Sequence, residues 1–262
     1  MKHIILATAL CLATSSPAFA QFNNITEGWS GDASLTGSRT TGNTDTLDFG
    51  AGLKLQKEDG PWTHKFKANA DFGEVDDQST RERYDLGYQI ERDFNDRLYG
   101  FANGDYYKDE FGAFQDGWFL GGGLGYKVIL PDPVGWNLEG GAGFRSQQAQ
   151  DFQGFDADGV TLSVDADGNP ILTEGLTENE FALRGFSDFD YAFNDNVSLY
   201  NDTEILWASS DTYIWNEIGL TAKLAGNLSA RASFRVDHHT DAPVGTESTD
   251  TTTRFGIVYS IK

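Results

Sequence analysis

Cysteine is almost missing from this 262-residue chain, where Cys11 stands alone. A disulfide framework and a thiolate metal cluster are thereby excluded. Histidine is scarce as well, with four in all, and no His/Cys set has metal-ligand spacing. Nor is there a phosphate-cradling glycine loop or a haem motif, so no catalytic, cofactor-binding or metal residues are assigned and no cofactor is expected. Basic residues are outnumbered, 19 against 40 acids, for a net charge of −21. That balance argues against nucleic acid or an anionic surface as a partner and suits a surface that gathers cations. Long apolar runs are missing after residue 20, so no helix of the ~20 apolar residues that cross a bilayer is expected.

The first twenty residues are set apart. Lys2 supplies a positive start, Ile4 to Thr14 an apolar stretch, and Ala18-Phe19-Ala20 a small-x-small cleavage pattern. Residues 1–20 are therefore expected to be a cleaved signal peptide, with the exported chain running from Gln21 to Lys262. The apolar stretch is too short for a membrane anchor. Cys11 follows Leu10, not the small residue of a lipoprotein signal, and would leave with the leader.

What is abundant is aromatic residues, 13% of the chain, and glycine, 30 residues. They fall in a strict two-residue alternation that recurs about every twenty residues, the pattern of half-buried strands. Leu47, Phe49, Ala51, Leu53 and Leu55 alternate with Asp48, Gly50, Gly52 and Lys54; Phe66, Ala68, Ala70 and Phe72 alternate with Lys67, Asn69 and Asp71. Twelve such segments can be traced from Trp29 to Ile261, with Leu98–Tyr107 strand-like but ambiguous in parity. Short turns at 58–60, 95–97, 131–133, 194–196 and 225–227 alternate with mostly longer connections at 74–82, 108–115, 146–178, 208–211 and 238–250. Short turns at one end and longer loops at the other mark an outer-membrane barrel, its short turns in the periplasm.

Barrel size decides which face is inside. About eight strands enclose just enough space for side chains to fill, so twelve with an apolar interior would leave a large void. The polar face is therefore expected to line the lumen, with Asp48, Lys67, Asp71, Asp85, Glu139, Arg145, Arg184, Asp188, Glu204, Glu217, Arg231 and Arg235. The aromatics agree. Trp29, Trp62, Phe94, Tyr126, Trp136, Tyr191 and Tyr259 fall near the short-turn end; Phe72, Tyr84, Trp118, Phe144, Phe181, Trp207 and Phe255 fall near the loop end. Two such belts suit the two membrane interfaces. The expected fold is all-β: a transmembrane antiparallel up-and-down barrel of about twelve strands, one domain over residues 21–262, in the outer membrane of a Gram-negative cell.

Arg254-x-Gly256-x-x-Tyr259-x-Ile261 resembles the terminal signal read by the machinery that inserts such barrels, although Lys262 stands where an aromatic is usual. Trp29-Ser30-Gly31, Thr41-Gly42-Asn43-Thr44-Asp45, Tyr106–Phe111 and Gly123-Leu124-Gly125-Tyr126 resemble the YdiY-like family of salt-induced outer-membrane proteins. The resemblance implies an outer-membrane barrel of undefined activity. Read by itself, Gly42-Asn43 supplies the positive φ that joins two antiparallel strands tightly.

Three places carry candidate chemistry. Asp237-His238-His239 sits at the loop end of a strand, where an Asp–His pair could activate water. Neighbours in a strand face opposite ways, so His239 with Asp241 is the pairing that shares a face. His64 is expected to be an interfacial side chain. In the acidic 146–178 loop, Asp165-x-Asp167-Gly168-Asn169 looks like the start of a calcium loop, but Leu176 holds the closing position, and a protruding hairpin pairing Val160–Val164 with Ile171–Glu174 is expected. The glycines at 121–125 and 140–143 are expected to leave one sector of the lumen open. The leading function is an envelope structural role or a narrow cation-preferring pore, not an enzyme. The alternatives are a surface protein binding calcium or a partner through the 146–178 loop, and an outer-membrane hydrolase. Lipid, lipopolysaccharide, the insertion machinery and cations are the expected partners.

Overall fold

The computed structural model describes residues 28–40, 46–130, 132–154, 163–165, 167–243 and 247–262. The leader, the Gly42-Asn43 turn and residues 155–162 of the long loop lie outside them.

Twelve long strands follow the alternating segments: β1 (Ser30–Thr40), β2 (Thr46–Asp59), β3 (Trp62–Val75), β4 (Gln78–Asp93), β5 (Leu98–Asp109), β6 (Phe114–Ile129), β7 (Val134–Ala149), β10 (Thr177–Asn194), β11 (Val197–Ala208), β12 (Thr212–Ala225), β13 (Leu228–His239) and β14 (Thr249–Ile261). Two short strands, β8 (Phe152–Gln153) and β9 (Leu172–Thr173), pair with each other in the long loop. The twelve form one closed barrel in which each strand is antiparallel to its chain neighbour and β7 pairs with β10 across the long loop. β1 closes the ring on β14, from Gly31↔Ile261 to Thr36↔Gly256. At Gly31 the backbone has φ 150°, and a Cβ there would lie 2.0 Å from the Lys54 carbonyl oxygen, so only glycine fits.

The outer wall is apolar. Leu35, Leu86, Leu120, Leu124, Leu183, Ile205, Leu220, Phe234 and Ile257 are all exposed on it. Both aromatic belts are present, and Phe72–Tyr84 and Phe144–Phe181 meet edge to face within the loop-side belt, at 5.5 and 6.2 Å. The alternate positions face the lumen: all the residues assigned to it but Asp48 line its open cavity, and the Asp48 carboxylate lies on the same side, next to Gly73. No helix among the described residues is long and apolar enough to cross a membrane; the barrel crosses with strands.

The connections differ from expectation in two places. The 74–82 segment is no loop: β3 and β4 run on to a two-residue turn at Asp76 and Asp77, at φ 49° and 62°. Aspartate tolerates this left-handed region, which hairpin turns require at both central positions. In the long loop, Val164 bridges Pro170 around the Asp165–Asn169 turn. Beyond that bridge Leu172–Thr173 pairs with Phe152–Gln153, while residues 160–162, part of the expected hairpin, lie outside the described residues. The returning chain lies between two segments, with Ile171 N–H donating to Ser163 and Ser163 N–H to Gly154.

Candidate functional site

Among the described residues, charged and hydrogen-bonding side chains gather in the lumen. At mid-height Arg184 lies between Glu139 (2.6 Å) and Glu204 (2.8 Å), with its guanidinium over the rings of Phe101 and Phe186 at 5.5 and 4.9 Å. Tyr99 and Gln89 also donate to Glu139, at 2.9 and 2.8 Å. Lys65–Glu91 and Lys67–Asp105 continue the pairing along the wall, at 2.6 and 2.7 Å. Buried charges persist only when paired and hydrogen-bonded, and this network satisfies both demands.

β5 resolves its ambiguous parity by turning Tyr99, Phe101, Asn103, Asp105 and Tyr107 inward. Aromatics on its lumen side are why the strand read as apolar on both faces. They also overturn the expectation of an open glycine sector. A Cβ on Gly125 would lie 2.1 Å from the Tyr99 ring, and Cβ atoms on Gly121 and Gly143 would lie 2.4 and 2.8 Å from the Phe119 ring. The inward glycines of β6 and β7 are a floor on which rings lie flat. The sector is filled.

What stays open is a cavity of about 1330 Å³, lined from Pro133 and Asn194 at the turn end to Phe111 and Asp250 at the loop end. Lys54–Asp202 joins β2 to β11 over it at 3.3 Å, and Arg254–Asp71 joins β14 to β3 at 2.7 Å. Acids outnumber Lys and Arg in the lining. Of these acids, Asp132, Asp188, Asp190, Asp195 and Asp250 form no ion pair among the described residues. Four of the five lie in the turn-side half. Most of the lining acid that forms no ion pair is thus on that side.

The loop-side rim holds a tighter cluster. Asp237 faces the lumen and is gripped by Arg235 through two bonds, at 2.7 and 2.8 Å, and by the Tyr213 hydroxyl. His238 points outward to Thr249. His239 turns inward and meets Asp211 at 2.6 Å, stacked on Tyr213 at 4.7 Å. Its partner is therefore Asp211 from the β11–β12 loop. Asp241 contributes only a backbone N–H to Asp211, at 3.0 Å. Arg145 completes the knot, donating to Glu180 (2.7 Å) and to the Asp211 carbonyl (3.0 Å). Burial pushes the Asp211 carboxyl up, yet the His239 hydrogen bond, the Asp241 N–H and the charges of His239 and Arg145 hold it below its ordinary value. The Ser209 and Ser210 hydroxyls donate to Glu180 and Glu178, so neither supplies His239 with a nucleophile.

His64 faces outward near the turn-side belt and shares a 2.7 Å hydrogen bond with the Tyr88 hydroxyl, as an interfacial residue would. In the long loop the Asp165 carboxylate accepts from the backbone N–H groups of Asp167 and Asn169 and from the Asn169 amide, at 2.9, 2.8 and 3.1 Å. Those bonds, led by Asn169, hold it below its ordinary pKa. The would-be calcium ligand is engaged by its own turn.

A closed twelve-stranded barrel with a charged lumen and an apolar, aromatic-belted wall is an outer-membrane β-barrel. The chain belongs to the family described as "Protein of unknown function, DUF481", whose profile matches residues 33–261; the family includes the YdiY-like salt-induced outer-membrane proteins. No curated protein matches it in sequence. Similar solved structures include the NanC porin, 10% identical with a TM-score of 0.49 over 88% of this chain and 100% of that one. The translocator domain of autotransporter NalP from Neisseria meningitidis is 13% identical, TM-score 0.45, over 92% and 94% of the two chains. The COG4313 outer membrane channel from Pseudomonas putida F1 is 10% identical, TM-score 0.46, over 89% and 93%.

Proposed function

We propose that this barrel is a narrow, cation-preferring pore. The observation that carries the reading is the cavity lined from one end of the barrel to the other, with a surplus of unpaired acid in its turn-side half. Fixed negative charge inside a low-dielectric wall concentrates cations and repels anions. Lumen side chains that are themselves in salt bridges keep the path narrow, which favours small ions over larger solutes. The test is single-channel recording from refolded protein in a planar bilayer under a potassium chloride gradient. Steady steps reversing towards the potassium potential support the pore. Silence from protein verified as folded, or equal passage of potassium and chloride, would sink it.

Delivery belongs to the same proposal: removal of residues 1–20, insertion through the final strand, and residence beside lipopolysaccharide. Amino-terminal sequencing of the protein from isolated outer membranes should begin at Gln21.

A further inference from the structure

At its turn-side edge, one sector of the outer wall carries positive charge. Lys57 on β2, His64 on β3 and Arg92 on β4 belong to three adjacent strands. Lys57 is paired with His64, and Trp62, two residues from His64, is paired with Arg92. Side chains on one face lie about 5 Å apart when directly paired and about 7–8 Å apart on the diagonal, so the three form one continuous patch. They face outward: none lines the cavity, whereas the alternate residues Gln56 and Lys65 do, and Lys65 meets Glu91 inside at 2.6 Å. Trp62 belongs to the turn-side belt, which sets the patch at headgroup level, and Lys57 reaches that level along its own stem.

Most cations elsewhere in the barrel meet carboxylates. Arg184, Arg235 and Arg254 do so in the lumen, and Lys108, on the loop-side outer wall, meets Glu110 at 3.3 Å. Lys57 and Arg92 enter no ion pair among the described residues, and Asp59, opposite Trp62 in the register, comes within 4 Å of neither. Arg92 lies instead over the Trp62 ring, 5.4 Å from its centroid. A ring positions a guanidinium through its face and leaves the in-plane N–H donors available. His64 shares Nδ1 with the Tyr88 hydroxyl at 2.7 Å, which leaves Nε2 without a partner among the described residues.

Unpaired cations at headgroup depth call for an anion, and lipid phosphate lies at that depth. The short turns of such barrels are periplasmic, so the leaflet at this end is phospholipid. The net charge of −21 argues against an anionic partner for the molecule as a whole; this patch is a local reversal of it. We infer that the turn-side edge of β2–β4 binds the headgroup of an anionic phospholipid. The Arg92 guanidinium matches two phosphate oxygens, Lys57 adds a second charge, and His64 Nε2 offers a hydrogen bond. A zwitterionic headgroup brings a phosphate too, but its ammonium would add a like charge beside Lys57 and Arg92.

The test is Trp62 fluorescence from protein refolded into phosphatidylcholine vesicles, taken as the difference between wild type and Trp62→Phe. Brominated phosphatidylglycerol at low mole fraction should quench it well beyond the same amount of brominated phosphatidylcholine. Lys57→Gln and Arg92→Gln should each lower that preference about fivefold, the worth of one interfacial cation. Lys108→Gln, on the loop-side wall, should leave it unchanged, and heat-modifiable mobility verifies that each variant is folded. Equal quenching of wild type by the two lipids, or the same loss from Lys108→Gln, overturns the site. Unlabelled lipopolysaccharide that displaces the brominated lipid at lower concentration than unlabelled phosphatidylglycerol overturns the choice of a phospholipid.

Discussion

The two halves of the lumen hold their charges by different physics. At the loop-side rim, Arg145 is 5% exposed and Asp211 fully buried, and every contact is supported from several strands at once. In the turn-side half, Lys54 reaches Asp202 with 56% of its side chain still exposed. Solvent screens the second pair and leaves the first nearly unscreened. The rim is thus a structural knot, and the turn-side half is where charge remains available to ions.

The sharpest way to break that contrast is to remove one cation from each half. Arg145→Met leaves Glu180 and Asp211 buried without their partner and should cost about 3–5 kcal/mol in denaturant unfolding from detergent or vesicles. Lys54→Met should cost no more than about 1 kcal/mol by the same measurement. Equal losses would erase the distinction.

Acid sharpens it next. The folded state holds the Asp211 carboxyl below its ordinary value. That contribution is therefore fully present above the unfolded-state pKa of about 4 and is lost as pH falls through the lower folded value. Unfolding midpoints of wild type should drop on going below about pH 4. Asp211→Asn should show a smaller drop, from an already lower starting stability.

Selectivity gives a smaller effect. A paired Asp188→Asn/Asp190→Asn variant should shift the reversal potential towards chloride, whereas Lys54→Met should shift it towards potassium, both read in the same bilayer. Smallest is the response to salt: raising ionic strength should weaken the Lys54–Asp202 coupling in a double-mutant cycle and leave the Arg145 coupling nearly unchanged.

The strands were legible because lipid on one side and water on the other impose a strict period of two, as in Leu47 to Leu55. β5 was not, because Tyr99 and Phe101 put aromatic surface inside. The tight turn at Asp76-Asp77 was hidden by a polar stretch that reads equally as a loop. Ring closure was the larger obstacle to reading the site. His239 and Asp241 are near neighbours in sequence, but Asp211 reaches His239 only because β12 and β13 fold back beside each other, and Arg145 comes from β7, elsewhere on the ring. Strand pattern places each side chain on a face; it does not say which residues the closed ring brings together.

The β1–β14 seam has a consequence for biogenesis. Its six residue pairs join the first and last strands, while the other seams join strands that follow one another around the ring in chain order. A growing sheet can zip hairpin by hairpin, but it keeps two bare edges until the final strand arrives. Completion thus acts as a length check: a product truncated before β14 would stay an open ribbon, exposed to pairing with its neighbours and to proteases.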